Sequence, residues 1–270
     1  MSGKGMEGRG RVVKAVIEIE APREAVWAAL TDPVELVRWF PLEAKVTPGN
    51  GGSIWYAWGS WWQGGTRIDH WEPPTRLRTV PEEPLPDGRV TLAFDVELEA
   101  RGGRTVLRLV HAGFGEGAGW DHEYDGVRRG WGFELRGLRH YLERHRGSDR
   151  TVAWAHHPIG MKEGEAWARL MAPGGLFLEG LPAGLAEGRT YGLTLHQGMR
   201  LEGEIQMVEP PAQLVMTAAN LNHALMRVEL EHCGGTPQVV LWASTYGVPP
   251  EAVRRLESEM EGAARRLFPA

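Results

Sequence analysis

Ile68-Asp69-His70-Trp71-Glu72-Pro73-Pro74-Thr75-Arg76-Leu77 decides how this chain is organised, because its frame returns as Ile205-Gln206-Met207-Val208-Glu209-Pro210-Pro211-Ala212-Gln213-Leu214. The isoleucine, the Glu-Pro-Pro and the leucine recur at the same spacing. Upstream, Trp27 and Pro33 in Ala25–Pro33 are answered by Trp167 and Pro173 in Glu165–Pro173. Downstream, Val96-Glu97-Leu98-Glu99 with Gly102-Gly103 is answered by Val228-Glu229-Leu230-Glu231 with Gly234-Gly235. Three blocks in one order indicate two copies of one domain, as internal repetition on this scale implies. The 270 residues suit two domains at about 150 residues each. The expected boundaries are a disordered tail over 1–10, a first domain over 11–147 and a second, degenerate one over 150–270. Arg146-Gly147-Ser148-Asp149 is the expected hinge.

Within the first copy, Val12–Ile19 has the β-branched content of a strand. Ala21-Pro22 opens a helix running to about Leu30, and Asp32-Pro33 restarts a shorter one through Trp39, since proline is tolerated in a first helical turn. Short strands follow from Val46 to His111. They are punctuated by Gly51-Gly52, Gly64-Gly65, Pro73-Pro74, Pro86-Asp87-Gly88 and Gly102-Gly103, where glycine allows positive φ and proline fixes it. Thr91–Leu98 alternates as a half-buried antiparallel strand does. Val127, Trp131, Leu135, Leu138 and Leu142 then take helical spacing, as do Val253, Leu256, Met260, Ala263 and Leu267 at the end of the second copy. Each copy thus reads as a strand, two short helices, about six antiparallel strands and one long helix. The fold class is α+β, with a curved sheet wrapped around its terminal helix. A curved sheet cannot press flat on one helix along its whole length, which leaves room for a ligand between them.

Composition narrows the function. A net charge of -5 gives no basic surface for nucleic acid. No apolar run approaches the ~20 residues of a membrane span, and residues 1–11 lack the apolar stretch of a signal peptide. A lone cysteine, Cys233 ahead of Gly234-Gly235 in an expected hairpin, excludes an internal disulfide and any cysteine-based zinc site. A reducing, cytoplasmic setting is the expectation. Nine of the 12 tryptophans precede residue 132, so the two copies are expected to differ in their work.

Ala21-Pro22-Arg23-Glu24-Ala25-Val26-Trp27 with Leu30-Thr31-Asp32-Pro33 and Trp39-Phe40 resembles the opening of the START-like helix-grip (SRPBCC) superfamily. Gly51-Gly52, Glu72–Leu77, Thr105–His111 with Gly113-Phe114, and Gly130-Trp131 continue the pattern. Together they look most like the branch related to the activator of the heat-shock-protein-90 ATPase. The resemblance covers nearly all of 12–145 and is fainter in the second copy, where His111 is answered by Ala243 and Phe114 by Tyr246. It implies tandem helix-grip domains with a ligand cavity. Lipid binders, polyketide cyclases and co-chaperones share that fold, so site chemistry must choose among them.

Strand parity places Ile54, Tyr56 and Trp58 on one face and Trp62, Thr66, Ile68 and His70 on the facing strand. Phe94 and His111 join the concave side, and Trp131 arrives from the helix. Phe114 and Trp120 are expected in the loop at the cavity mouth, part of a mobile glycine-rich stretch, Gly113–Gly119. The expected ligand residues are therefore Tyr56, Trp58, Trp62, Phe94, His111, Phe114, Trp120 and Trp131. The bland alternative is that these aromatics fill a core. His111 is the weak catalytic candidate, as a base or an orienting donor without an assignable acid. Adjacent Asp69 and His70 are expected to face opposite ways along a strand. Asp121-His122-Glu123-Tyr124-Asp125 suits a helix N-terminus better than a metal. His140, His145 and His156-His157 have no ligand spacing and read as surface or structural residues. The chain carries no phosphate-binding fingerprint and no nucleophile elbow. The leading expectation is a protein that binds an apolar, aromatic or lipid-like small molecule, without cofactor or metal and more readily a binder than an enzyme. A cyclase- or hydrolase-like enzyme using His111 is the alternative. The resemblance adds a chaperone partner or a homodimer as a third class.

Overall fold

The computed structural model describes residues 10–81, 93–115, 117, 120–233 and 236–269. The chain divides into two compact units, Met1–Gly147 and Ser148–Ala270. Pro86-Asp87-Gly88, the start of the Thr91 strand, most of the 1–10 tail, Gly234-Gly235 and part of the 113–119 stretch lie outside the described residues.

The first unit runs β1 (Arg11–Ile19), α1 (Arg23–Thr31), α2 (Pro33–Leu36), β2 (Glu43–Thr47), β3 (Ser53–Trp58), β4 (Trp62–Glu72), β5 (Arg76–Pro81), β6 (Ala93–Arg101), β7 (Arg104–Phe114) and α3 (Asp121–His140), ending in a π-helical turn over Tyr141–His145. Seven strands form one antiparallel sheet in the order β1-β7-β6-β5-β4-β3-β2. Period-two alternation builds it: Val13 and Ile19 of β1 are buried while Lys14, Val16 and Glu18 face out. On β6, Val96 and Leu98 go in while Glu97 and Glu99 go out, and Arg108 meets Glu99 at 2.8 Å across the outer face. α3 packs against β1.

The link between α1 and α2 fixes a residue that matters below. The Asp32 carboxylate accepts hydrogen bonds from Val34 N at 2.8 Å and Glu35 N at 3.4 Å, with Pro33 in the first turn, so it restarts the helix as an N-cap. Trp39 Nε1 then donates to Ala29 O at 2.7 Å, which anchors the chain beyond α2 and sets Phe40 beside the sheet.

The second unit comprises β8 (Arg150–Pro158), α4 (Glu163–Met171), β9 (Thr190–Thr194), β10 (Arg200–Glu209), β11 (Gln213–Ala218), β12 (Ala224–Cys233), β13 (Thr236–Tyr246) and α5 (Pro250–Leu267). Its sheet has six antiparallel strands in the order β8-β13-β12-β11-β10-β9, and α5 packs on β8. The expectation of two short helices fails in this copy. Ala172 stands where Asp32 stands in the first, so there is no capping oxygen, and Gly174 (φ 73°) and Gly175 occupy the following turn. No described helix is long and apolar enough to cross a membrane.

Candidate ligand-binding site

Cross-strand register brings one row of side chains together on the concave face of the first sheet. Trp58 sits opposite Trp62, Tyr56 opposite Gly64, and Ile54 opposite Thr66. Ile68 pairs with Thr79, Thr79 with Phe94, Phe94 with His111 and His111 with Val13. Trp131 descends from α3 onto this row, its indole stacked on Phe94 with centroids 4.8 Å apart and planes 12° apart. Phe40 completes the group. It meets Tyr56 at 5.5 Å and Trp58 at 5.1 Å edge-on, and lies roughly parallel to Trp131 at 6.1 Å. Phe40 was not among the residues expected here, since it follows a short helix and carries no periodic signal. The clue was its neighbour, Trp39, which is buried and carries the Phe40 ring stacked on its own at 5.1 Å.

A β-bulge in β4 changes the parity of two residues. The register shifts between Ile68 and His70, so His70 pairs with Arg78 and Trp71 with Leu77. His70 therefore leaves the concave face, and its Nε2 lies 3.3 Å from Glu72 Oε2 on the outside. Asp69 reaches Arg78 at 3.4 Å and Arg67 at 3.5 Å, so it shares the outer face with His70 rather than opposing it. Trp71 turns inward instead, edge-on to Trp27 at 5.0 Å.

Phe114 is a strand residue rather than a loop residue, while Trp120 lies in the connection to α3 as expected. Phe114 ends β7, Trp120 precedes α3, and both are buried in a small cluster with Val13, flanked by Tyr124, Val127 and Trp131. Trp120 lies over Gly115 so closely that a Cβ there would collide with the indole. Phe114 still backs the site, with its ring 5.2 Å from that of His111. Trp62 is 50% exposed at the rim and covers Gly64.

The polar centre is His111. Its Nδ1 accepts a hydrogen bond from Trp131 Nε1 at 3.0 Å. Burial lowers its pKa from 6.5 to about 4, so the imidazole is neutral at physiological pH. Tyr56, hydrogen-bonded to Thr66, has its phenol pushed up by burial. Yet Phe40, Tyr56, Trp58, Thr66, Phe94, His111 and Trp131 all keep solvent-reachable surface.

The same row in the second unit follows from its register. Met216 pairs with Met226, Met226 with Ala243 and Ala243 with Ala153, which puts Met226 at the place of Phe94 and Ala243 at that of His111. Leu193 opposite Leu201 stands for Tyr56 opposite Gly64, and Leu195 with Met199 for Trp58 with Trp62. Helical spacing puts Leu256 at the place of Trp131. All six replacements are buried, and they belong to one continuous apolar core.

The remaining clusters have structural partners. Asp121 pairs with Arg11 at 2.7 Å and Asp125 with Arg128 at 2.9 Å at the start of α3. His140 and His145 are buried, with rings 5.1 Å apart, rather than on the surface. Among the described residues no group of three or more His, Cys, Asp or Glu side chains gathers as metal ligands would.

Residues 20–143 match the family model described as "Activator of Hsp90 ATPase homolog 1-like protein". The matched stretch lies within the first domain. Solved structures similar to the chain include the Aha1 dimer from Colwellia psychrerythraea, at 19% identity and a TM-score of 0.46, covering 51% of this chain and 99% of that one. Two others extend past the activator-like domain. The di-domain ARO/CYC BexL from the BE-7585A biosynthetic pathway is 16% identical with a TM-score of 0.44, covering 96% of this chain and 99% of that one. DynU16, from the dynemicin biosynthetic locus, is 17% identical with a TM-score of 0.43, at 95% and 97% coverage. No curated protein matches the chain.

Proposed function

We propose that the activator-like domain binds a flat, largely apolar small molecule in the recess between β3–β7 and α3, walled by Phe40, Tyr56, Trp58, Phe94 and Trp131 and oriented by His111. The observation that carries this is the contrast between the two inner faces. The aromatic row keeps reachable surface, while the matching aliphatic row in the second domain is sealed. Apolar walls with few polar groups are the usual make-up of a small-molecule site.

A binder is better supported than an enzyme. A histidine with a pKa of about 4 is a weak base near neutrality, and its Nδ1 lone pair is already engaged by Trp131. Among the described residues no carboxylate is hydrogen-bonded to it. The family name also raises a chaperone partner, for which pull-down with the heat-shock-protein-90 ATPase is the direct check.

The test is a thermal-shift and tryptophan-fluorescence screen of the full chain against fused-ring aromatics and fatty acids. A saturable response from at least one class, weakened in Phe94→Ala, is expected. No response from either class would remove the reading.

A further inference from the structure

The hydrogen bond from Trp131 to His111 has a direction that matters. An indole N–H can only donate, so the Nδ1 of His111 must present its lone pair. Trp131 cannot swing away easily, because its indole is stacked on Phe94 at 4.8 Å and lies parallel to Phe40 at 6.1 Å. A neutral imidazole whose Nδ1 accepts carries its proton on Nε2. Protonating Nδ1 as well would set two donors against each other, in line with the depressed pKa. No other hydrogen bond engages the His111 ring nitrogens among the described residues, and the ring remains reachable by solvent. The rest of the wall is almost wholly aromatic. His111 Nε2–H is therefore a donor of fixed tautomer on this wall, beside the hydroxyl of Tyr56 and the indole N–H of Trp58.

We propose that Trp131 acts as a positioning residue that holds His111 as the Nε2–H tautomer, so that the recess selects flat ligands bearing a hydrogen-bond acceptor, such as an aryl ketone or quinone carbonyl. Isosteric hydrocarbons and ligands that bring only an N–H donor are disfavoured. This rests on the binding reading above and adds the chemistry of the ligand to it. In the second domain Ala243 and Leu256 stand in their places, so it holds neither the donor nor the residue that orients it.

Three probes of nearly one shape separate the possibilities: 9-fluorenone carries a carbonyl, fluorene a methylene and carbazole an N–H. Fluorenone is expected to bind the full chain about ten-fold more tightly than the other two, the worth of one hydrogen bond in such a site. In Trp131→Phe that ratio falls to within about three-fold, since the tautomer is no longer held. Nitrogen-15 spectra of labelled histidine give a readout that a packing role alone would not move. The His111 Nε2 signal is expected to be of the protonated type in the wild type and averaged in Trp131→Phe. Equal binding of the three probes overturns the selection while leaving the recess intact. An Nδ1–H signal in the wild type overturns the tautomer directly. Binding of none of them overturns the binding reading and this selection with it.

Discussion

At six matched positions the two domains made opposite choices. Tyr56, Trp58, Trp62, Phe94, His111 and Trp131 in the first stand where Leu193, Leu195, Met199, Met226, Ala243 and Leu256 stand in the second. Aliphatic side chains with free rotamers interdigitate until no space is left. Aromatic rings favour edge-to-face and offset-stacked contacts, and the first row keeps reachable surface in that arrangement. One topology therefore carries a fully buried aliphatic row in one copy and a partly exposed aromatic row in the other. The lesson, on the reading proposed above, is that the residues on the concave face decide whether this fold holds a pocket.

The largest effect is expected where packing is complete. Leu256→Ala removes a fully buried side chain from α5 and should cost about 2–5 kcal/mol in urea denaturation. A cost below about 1 kcal/mol would mean that the second core is looser than described. The converse experiment moves the first domain toward the second. Tyr56→Leu with Phe94→Met and His111→Ala should abolish ligand binding, and His111→Ala should carry the largest stability cost of the three, about 1–3 kcal/mol, because it leaves the Trp131 N–H without its acceptor. Retained binding in the triple variant would show that the aromatic row is not the site.

A third difference appears with pH. His111 has a pKa of about 4 when folded, against the ordinary 6.5, so between these values the unfolded chain takes up a proton that the folded one refuses. Its contribution to stability is present above pH 6.5 and is lost as the pH falls toward 4. Wild type should therefore lose more Tm between pH 7 and pH 5 than His111→Phe does. Equal losses would mean that His111 is not buried as described. The smallest effect lies in the helices. α3 carries Gly126, Gly130, Gly132 and Gly137, whereas α5 carries only Gly262. Nothing would meet a Cβ at Gly126, so Gly126→Ala should stabilise the first domain by about 0.5–1 kcal/mol, read by urea denaturation.

The duplication and the α+β class were legible because Glu-Pro-Pro and the alternating strands are local signals, each set by a few neighbouring residues. Parity assigned Tyr56, Trp58, Phe94 and His111 to one face for the same reason. It failed at His70, where one extra residue in β4 reverses the alternation without any mark in composition. Phe40 was missed because its orientation depends on the Trp39 bond to Ala29, a contact ten residues back in the chain. The second short helix in the second copy was expected from the repeat of the first copy's frame, in which Pro173 answers Pro33. The missing cap at Ala172 and the Gly174-Gly175 pair outweighed it. Nor does sequence spacing show that the Trp131 indole reaches His111 Nδ1, since that depends on how α3 lies across the sheet.

Crystals of the full chain soaked with 9-fluorenone test the central contrast most directly. Density for the flat ligand against the aromatic wall of the first domain, with its carbonyl on His111 Nε2 and none within the core around Met226 and Leu256, is the result predicted. Density inside the second core, or side chains of the first domain closed together with no space between them, would contradict it.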